Sequence, residues 1–407
     1  MDSLFESGQN AQDAEVQKAH ELANTITIGH LTRKLQADPS ADLSSILNQQ
    51  ASLYPELRES LAQEARERTA TLIPGKEKAS DAEPQDVLIE SAVKIAHPLS
   101  KELVAFAGLE GTVSDDELIS AITPKLHQLM RTGDVLFSLH DTSVLSLGAS
   151  EVLKTGTCLN PEGITNLQFI NTHFPQIPSP KFLGSLQSEE RAYIFMSRGE
   201  GETLESLWPQ LSVADKRSVQ KQLSDIFHVL RTAPSDANGH SPTKIGGFAS
   251  GVCQDMRRWL RKSEDLVSEA QFNDFLCCHQ DSRRTQTPWI KMIRSFMKDD
   301  HKLVMTHGDL HPRNIMVKWV HPEAAQHQPL EGEENAYGMR RQCIKVTSIL
   351  DWEMAGWYPE YWEFVKALNT ADVRGPLADW SDYLPTEAIG QWPLEYSLDL
   401  LISRWLG

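Results

Sequence analysis

Residues 134 to 197 alternate between apolar and polar side chains in short runs, which is the pattern of half-buried strands. Strands are predicted at Val135–Leu139, 144–147, 151–154, 182–186 and 192–196. Between the third and fourth strands, Glu162–His173 is predicted as a helix that ends before the stiff proline-rich connection at residues 175–180. The pattern therefore predicts a small β-rich lobe in the order three strands, one helix and two strands.

Residues 1 to about 125 have helical patterning and are predicted to form a separate accessory segment. Residues 57–71 are rich in good helix formers, whereas residues 71–84 combine Pro, Gly and charged residues in the manner of a linker. Ser114 and Glu117 fit a capping box ahead of a helical stripe of apolar residues. Two roles stay open for this segment: an accessory element that packs on the rest of the chain or is partly disordered, and a binding element for a protein partner.

The second half of the chain combines helical stripes with three further strands. Helices are predicted after Ser212 and at residues 289–297, and strands at 302–306, Ile315–Val320 and 344–350. Residues 321–342 are polar and are predicted to be a loop insertion between the last two strands. If these two strands pair antiparallel, the start of one lies beside the end of the other, which places Asn314 next to Asp351.

The composition of the 407 residues is typical of a globular protein, with 40% hydrophobic and 23% charged residues. The chain is long enough for two or three domains with a sizeable core. Its net charge of −17 repels phosphate backbones, so nucleic-acid binding is not expected without a strong basic patch. The acidic balance is compatible with a cationic substrate without establishing one.

Cysteine usage and the N-terminal residues predict a cytoplasmic protein. Five cysteines without framework spacing are typical of reduced thiols. The adjacent Cys277 and Cys278 lack zinc-ligand spacing, which favours thiols over a metal site. Residues 1–6 have neither the basic nor the apolar region of a signal peptide. No apolar run approaches the ~18 residues of a membrane span, so no membrane association is expected.

One segment carries a chemical motif. Residues 307–314 read His-Gly-Asp-Leu-His-Pro-Arg-Asn, and Asp351-Trp352-Glu353 follows the last predicted strand. The first segment fits H-x-D-x-x-x-x-N, in which the Asp faces a substrate hydroxyl and the Asn holds a metal, and Asp351 supplies the other metal ligand. A chance polar turn is the weaker explanation, because four residue types at fixed spacing coincide with a matching Asp. The motif predicts phosphoryl transfer, with Asp309 accepting the hydroxyl proton and with Asn314 and Asp351 holding Mg²⁺.

The same residues resemble the aminoglycoside phosphotransferase and choline-kinase-like family, including fungal-type members of the phosphotransferase enzyme family. The resemblance covers about residues 130–407 and rests on His-Gly-Asp-Leu-His-Pro-x-Asn-Ile, on Asp-Trp-Glu and on the continuation at residues 353–363. It implies an α+β, bilobal protein-kinase-like fold. The implied parts are an N-terminal helical extension at residues 1–125, a β-rich N-lobe at 126–198 and a mainly helical C-lobe at 199–407.

The resemblance also implies a nucleotide site. Lys154, at the end of the third strand, would contact the α- and β-phosphates of ATP. A family-like register places the glutamate partner of this lysine at Gly163, so the neighbouring Glu162 is the candidate. Met196 and Arg198 would belong to a hinge whose backbone groups bond the adenine edge. A Gly-rich phosphate loop is missing, as it often is in phosphotransferases of this type.

The predicted function is transfer of the γ-phosphoryl group of ATP, with Mg²⁺ as cofactor, to a hydroxyl group of a small molecule. An inactive nucleotide-binding or scaffold protein on the same fold is the alternative, favoured by the irregular Lys154–Glu162 pair and opposed by the intact Asp309. A kinase with protein substrates is disfavoured, because no activation segment ending in Ala-Pro-Glu follows Asp351. Since the N-terminal segment has no catalytic motif, a chain that starts near Ser120 is expected to keep nucleotide binding.

Three further features near the motifs have two interpretations each. Six of the ten tryptophans lie beyond residue 350, where packing of C-terminal helices is favoured over an aromatic cage for a quaternary ammonium group. His307 is expected to brace the loop by hydrogen bonding rather than to transfer a proton. Arg313 is expected either to contact phosphate or to form a structural ion pair.

Overall fold

The structure is a computed structural model. It describes scattered residues between 20 and 66 and then residues 93–406, except 140, 158, 190, 233–243, 256–259, 263–264, 279–286, 322–341 and 371–374. The chain divides into two compact units, Met1–Gln85 and Asp86–Gly407. In the first unit the described residues are mostly helical, and the Tyr54 hydroxyl donates to Asn24 Oδ1 at 2.6 Å. The predicted linker at 71–84 and most of the predicted loop at 321–342 lie outside the described residues.

A six-stranded antiparallel sheet forms the small lobe, which we define as residues 93–197. Its strands are β1 (Lys94–His97), β2 (Val135–Leu139), β3 (Thr142–Ser146), β4 (Glu151–Gly156), β5 (Phe182–Gln187) and β6 (Ala192–Ser197). Their spatial order is β1-β5-β6-β4-β3-β2. The five strands predicted from the sequence are all present, and their ends shift by two residues at most. Strand β1 is an addition to that prediction and pairs at the edge of the sheet with β5.

Two helices ahead of the predicted N-lobe pack into the core of this sheet. They are α1 (Lys101–Ala107) and α2 (Asp115–Thr132), and α2 begins where Ser114 Oγ accepts from the Glu117 N–H. Their buried residues join one apolar cluster with side chains of the sheet: Leu103, Ala107, Leu118, Ile122 and Leu126 with Leu145, Leu153, Tyr193 and Phe195. The boundary that the sequence suggests at residue 125 therefore falls inside a helix that is part of the small-lobe core.

Helix α3 (Glu162–His173) has the predicted bounds. It crosses from the small lobe to the large one, because its buried Leu167 and Ile170 belong to the apolar cluster of the large lobe. Asn166, which is fully buried, donates to the carbonyl oxygens of Trp352 (3.1 Å) and Ala355 (2.8 Å). The helix is thereby fixed to the turn that follows Asp351.

The large lobe, which we define as residues 198–406, is mainly helical with short strand pairs. Its helices are α4 (Leu204–Leu207), α5 (Val213–Thr232), α6 (Glu269–Leu276), α7 (Pro288–Phe296), α8 (Trp362–Asn369), α9 (Thr386–Ile389) and α10 (Pro393–Leu406). Its strands are β7 (Glu202–Thr203), β8 (Cys253–Asp255), β9 (Leu260–Lys262), β10 (Leu303–Thr306), β11 (Ile315–Val320), β12 (Cys343–Ile349) and β13 (Gly356–Pro359). Two single turns of 3₁₀-helix, Pro312–Asn314 and Trp352–Met354, lie in the motif segments.

Strands β11 and β12 pair antiparallel, as predicted, with Ile315 opposite Ile349. One residue beyond this pair, the Leu350 N–H donates to the Asn314 carbonyl at 2.7 Å. The hairpin thus brings the end of the first motif beside the start of the second, although 35 residues lie between Asn314 and Leu350 along the chain.

The small antiparallel lobe, the linking helix and the helical large lobe constitute an α+β, bilobal kinase-like fold. Four tryptophans beyond residue 350 are buried, namely Trp352, Trp357, Trp362 and Trp380, so these four pack the large lobe. Within the described ranges, none of the helices has the length and apolar character needed to cross a bilayer.

Candidate active site

Asp309 lies in the loop between β10 and β11, where neighbouring residues hold its carboxylate. Asn314 donates from Nδ2 to Asp309 Oδ2 at 2.7 Å and to the Asp309 carbonyl at 3.0 Å. Arg313 donates from Nη2 to both carboxylate oxygens at 3.2 Å. Burial opposes ionisation of Asp309, but the charge of Arg313 and its hydrogen bonds to the carboxylate outweigh it and lower the pKa of the carboxyl group. Asp309 is therefore a carboxylate at neutral pH, as a proton acceptor must be.

Hydrogen bonds of the His307 and Glu363 side chains fix the backbone of this loop. His307 Nε2 donates to the Leu350 carbonyl at 2.8 Å, while its Nδ1 accepts from the Asp309 N–H at 3.3 Å. The buried Glu363 accepts from the backbone N–H of His307 at 2.6 Å and from that of Gly308. Gly308 has φ +78°, and a Cβ there would lie 2.6 Å from the Met354 carbonyl. The loop thus requires glycine at this position, and both His307 ring nitrogens are occupied by bracing bonds.

His311 and Arg313 complete the loop. Burial, reinforced by the nearby Arg313 charge, lowers the pKa of His311 to about 4, so its imidazole is neutral at physiological pH. In this form His311 Nδ1 accepts from the Arg313 N–H at 3.1 Å. Of the two interpretations of Arg313, the structure contains the ion pair, with Asp309 as its partner.

Asp351 stands where β12 ends and has a left-handed backbone conformation, with φ 61° and ψ 67°. Among the described residues it is the sole non-glycine with positive φ. Such a conformation costs on the order of 1–3 kcal/mol and persists only where the surrounding structure imposes it. Here the β11–β12 pairing on one side and Asn166 on the other impose it.

Lys154, on β4, reaches across to the turn that carries Asp351. Its Nζ lies 3.0 Å from Asp351 Oδ1 and 3.6 Å from Glu353 Oε2. Burial disfavours the charged lysine, but these two carboxylates outweigh it and raise the Lys154 pKa. Burial and the Asp351 charge raise the pKa of Glu353, and Lys154 opposes that rise. The three side chains form one charged cluster between the lobes.

Glu162 does not pair with Lys154, which corrects the expectation from the sequence. The Glu162 carboxylate instead accepts from Ser250 Oγ at 2.5 Å on the large-lobe side of helix α3. The reason is helical phase: Glu162 and Asn166 are four residues apart and share the face that packs on the large lobe. Lys154 takes its second acidic partner from Glu353, which the sequence reasoning did not select.

The predicted hinge residues lie where β6 leaves the sheet. Met196 pairs with Val152 and Phe182 within the sheet. The Arg198 N–H donates to the Ser150 carbonyl at 2.7 Å, so it is already used and is not an open donor for a nucleotide. Its guanidinium group reaches Ser146 Oγ at 3.4 Å. The segment connects the lobes as expected, while the contact of Met196 and Arg198 with adenine stays a prediction.

The donor set at the hairpin fits Mg²⁺, which favours oxygen ligands and is commonly held by one or two protein side chains together with substrate phosphates. Asn314 turns its Nδ2 toward Asp309, so its Oδ1 is the amide atom that faces other groups. Asp351 adds a carboxylate one residue beyond the Leu350–Asn314 bond. Throughout the described segments, His, Cys, Asp and Glu form no group of three or more suited to a metal ion. A Mg²⁺ ion held by these two residues would take its remaining ligands from phosphate oxygens or water.

The loop geometry and the kinase-like fold are those expected of a phosphotransferase. In agreement, residues 164–325 match the model of the family described as "APH: Phosphotransferase enzyme family", which confirms the resemblance inferred from the motifs. The matched segment contains Asp309 and Asn314 and ends before Asp351. No curated protein matches the chain significantly.

Solved structures with a similar course of the chain include aminoglycoside phosphotransferases. APH(4)-Ia is 14% identical, with a TM-score of 0.42 over 70% of this chain and 88% of that one. ADP-bound APH(2'')-Ib is 11% identical, with a TM-score of 0.41 over 70% and 84%. APH(3'')-Id from Streptomyces rimosus is 14% identical, with a TM-score of 0.39 over 67% and 91%. These TM-scores are low, and the order and pairing of the chain's own strands define the fold instead.

Proposed function

We propose that this protein transfers the γ-phosphoryl group of ATP to a hydroxyl group of a small molecule. The observation that supports this most directly is the ionised Asp309, oriented by Asn314 Nδ2 at 2.7 Å beside the turn that carries Asp351. A carboxylate with a fixed direction next to two oxygen ligands is the arrangement that phosphoryl transfer to an alcohol requires.

Each residue has one task in this scheme. Asp309 orients the acceptor hydroxyl and takes its proton as the new O–P bond forms and the bond from the γ-phosphorus to the β,γ-bridging oxygen breaks, with ADP as the leaving group. Lys154 contacts the nucleotide phosphates, and Arg313 releases Asp309 toward the acceptor when the substrate hydroxyl takes its place. Asn314 and Asp351 would hold Mg²⁺, which would supply positive charge to offset the negative charge that develops on the transferred group.

The charge of the protein suggests a chemical class for the acceptor. The net charge of −17 favours acceptors that are neutral or cationic, because like charges repel anionic molecules from the surface. Hydroxyl compounds with amino or quaternary ammonium groups are accordingly the first to test.

The test is turnover of Mg-ATP with a panel of neutral sugars, amino sugars and amino alcohols, read as ADP release and as phosphate-ester signals in ³¹P NMR. Asp309→Asn should lower turnover on the order of 10²-fold or more while keeping nucleotide binding, because a positioned proton acceptor is lost. Asp300→Asn, at an exposed aspartate before β10, is the matched control and should behave as wild type.

Two results would contradict the proposal. Equal turnover in Asp309→Asn and wild type would remove Asp309 from the chemistry. Tight Mg-ATP binding without transfer to any acceptor, or to water, would favour the alternative of a nucleotide-binding protein without kinase activity. A parallel titration with GTP shows which nucleotide the site selects.

A further inference from the structure

The acidic partners of Lys154 lie on the turn after β12 and not on helix α3. Both carboxylates within 4 Å of its Nζ, those of Asp351 and Glu353, belong to the turn after β12. The helix that faces this lysine supplies none, because Glu162 is engaged with Ser250. If Asp351 serves the metal site, Glu353 is the remaining acid that can hold the lysine in place.

Helix α3 contacts Glu353 at Gly163. A Cβ built at Gly163 would lie 3.4 Å from Glu353 Cβ, an ordinary van der Waals contact. A side chain at position 163 would therefore start next to the point from which the Glu353 side chain starts. The Glu353 carboxylate extends from this point to Lys154.

The position of Glu353 is also fixed through its backbone. Its carbonyl accepts from Gln254 Nε2 at 2.7 Å, and the carbonyls of the flanking Trp352 and Ala355 accept from Asn166. Three anchors on a four-residue turn hold the Glu353 Cα in one place. A flexible lysine gains orientation only from a partner that is itself fixed.

We propose that Glu353 is the positioning residue for Lys154, in place of a glutamate from helix α3. The inference rests on the proposed function, in which Lys154 contacts nucleotide phosphates. Glu353 acts through the lysine: its carboxylate holds the ammonium group from the turn after β12, so that Asp351 would be available to a metal ion, and it touches neither the acceptor nor the transferred group.

The decisive measurement is the affinity for ATP by calorimetry, once with Mg²⁺ and once with excess EDTA. Glu353→Gln keeps the shape and removes the charge, and it should weaken ATP binding about tenfold in both conditions, the equivalent of about 1.4 kcal/mol. Lys154→Met should weaken binding as well, and adding Glu353→Gln to it should cause no further loss. Glu189→Gln, at an exposed glutamate in the small lobe, is the control and should leave the affinity for ATP unchanged.

A rescue experiment separates positioning from general structural support. Glu353→Ala should lose affinity, and Gly163→Glu on that background should restore most of it, because the new side chain starts within 3.4 Å of the old one. A variant that had merely damaged the turn would not recover when a carboxylate is supplied from the helix.

The outcomes are distinct. Loss of affinity in Glu353→Gln only when Mg²⁺ is present would overturn the inference and make Glu353 a metal ligand. Wild-type affinity in Glu353→Gln, in a protein that turns over, would overturn the inference and leave the proposed function intact. Absence of ATP binding in the wild type would overturn the proposed function itself. A double-mutant cycle of Lys154→Met and Glu353→Gln, measured as free energies of unfolding, would then show whether the two side chains interact.

Discussion

Asn166 is the residue whose replacement should couple stability to nucleotide binding. It is fully buried and makes three hydrogen bonds, donating to Trp352 O and Ala355 O and accepting from the Phe248 N–H at 3.0 Å. In Asn166→Ala, three buried backbone groups lose their partner. At roughly 1 kcal/mol or more for each such group, the free energy of unfolding should fall by about 3–5 kcal/mol, a large part of the roughly 5–15 kcal/mol of a typical domain.

Two of these groups, the Trp352 and Ala355 carbonyls, belong to the turn that follows Asp351, so the effect should extend to function. Urea unfolding gives the stability, and calorimetry at low temperature, where the variant is still folded, gives the affinity for Mg-ATP. We expect the affinity of the folded Asn166→Ala protein to fall on the order of tenfold, a change of about 1.4 kcal/mol in binding free energy.

Helix α3 provides a matched control for this prediction. Asn171 also makes three hydrogen bonds, to Ser179, Pro180 and Phe182, but these fix the start of β5 rather than the turn after β12. Asn171→Ala should cost less, about 1–2 kcal/mol, because the half-buried site lets water replace some partners. It should leave nucleotide affinity unchanged. Equal effects of the two substitutions on both quantities would refute the idea that Asn166 links the helix to the site.

Three further outcomes are expected. Calorimetry should show that ATP binding no longer depends on Mg²⁺ in Asp351→Ala; unchanged Mg²⁺ dependence would refute a shared metal site. Because the His311 pKa is about 4 in the folded protein and ~6.5 when unfolded, the unfolded chain binds more protons between these values and stability falls as pH drops from 6.5 toward 4. Urea midpoints at several pH values should show this fall flattened in His311→Gln. A chain that starts at Asp86 should melt cooperatively, whereas one that starts at Ser120 should not, because it lacks α1 and the first turn of α2; a cooperative melt of the shorter chain would reinstate the predicted boundary.

Features set by local sequence were predictable. The bounds of helix α3 follow from a proline before Glu162 and the proline-rich segment after His173, both of which act within a few residues. The β11–β12 hairpin follows from two apolar runs with a polar insertion between them, and its antiparallel pairing places Asn314 near Leu350. Motif spacing then selects Asp309 and Asn314, which the structure joins by a 2.7 Å hydrogen bond.

Features set by distant partners were not predictable. Lys154 and Asp351 are 197 residues apart, and no spacing rule reveals that Glu353 rather than Glu162 completes their cluster. Gly163, the second residue of helix α3, gives no signal of its own, because a glycine in the first turn of a helix is common. Strand β1 has four residues, and its partner strand β5 begins 85 residues after β1 ends. The apolar residues of α1 and α2 indicate helices with one apolar face, but the sequence does not indicate that this face packs on the sheet.

The attachment of helix α3 has a mechanical consequence. Leu167 and Ile170 sit in the apolar cluster of the large lobe, and Asn166 and Glu162 bond to large-lobe groups on the same side. A movement of the lobes relative to each other that kept these contacts would carry the helix with the large lobe, and the bonds from Asn171 to Pro180 and Phe182 at the start of β5 would have to yield. An outward swing of the helix would expose its buried apolar side chains to water and leave Glu162 and Asn166 without their partners, so such a swing is energetically costly.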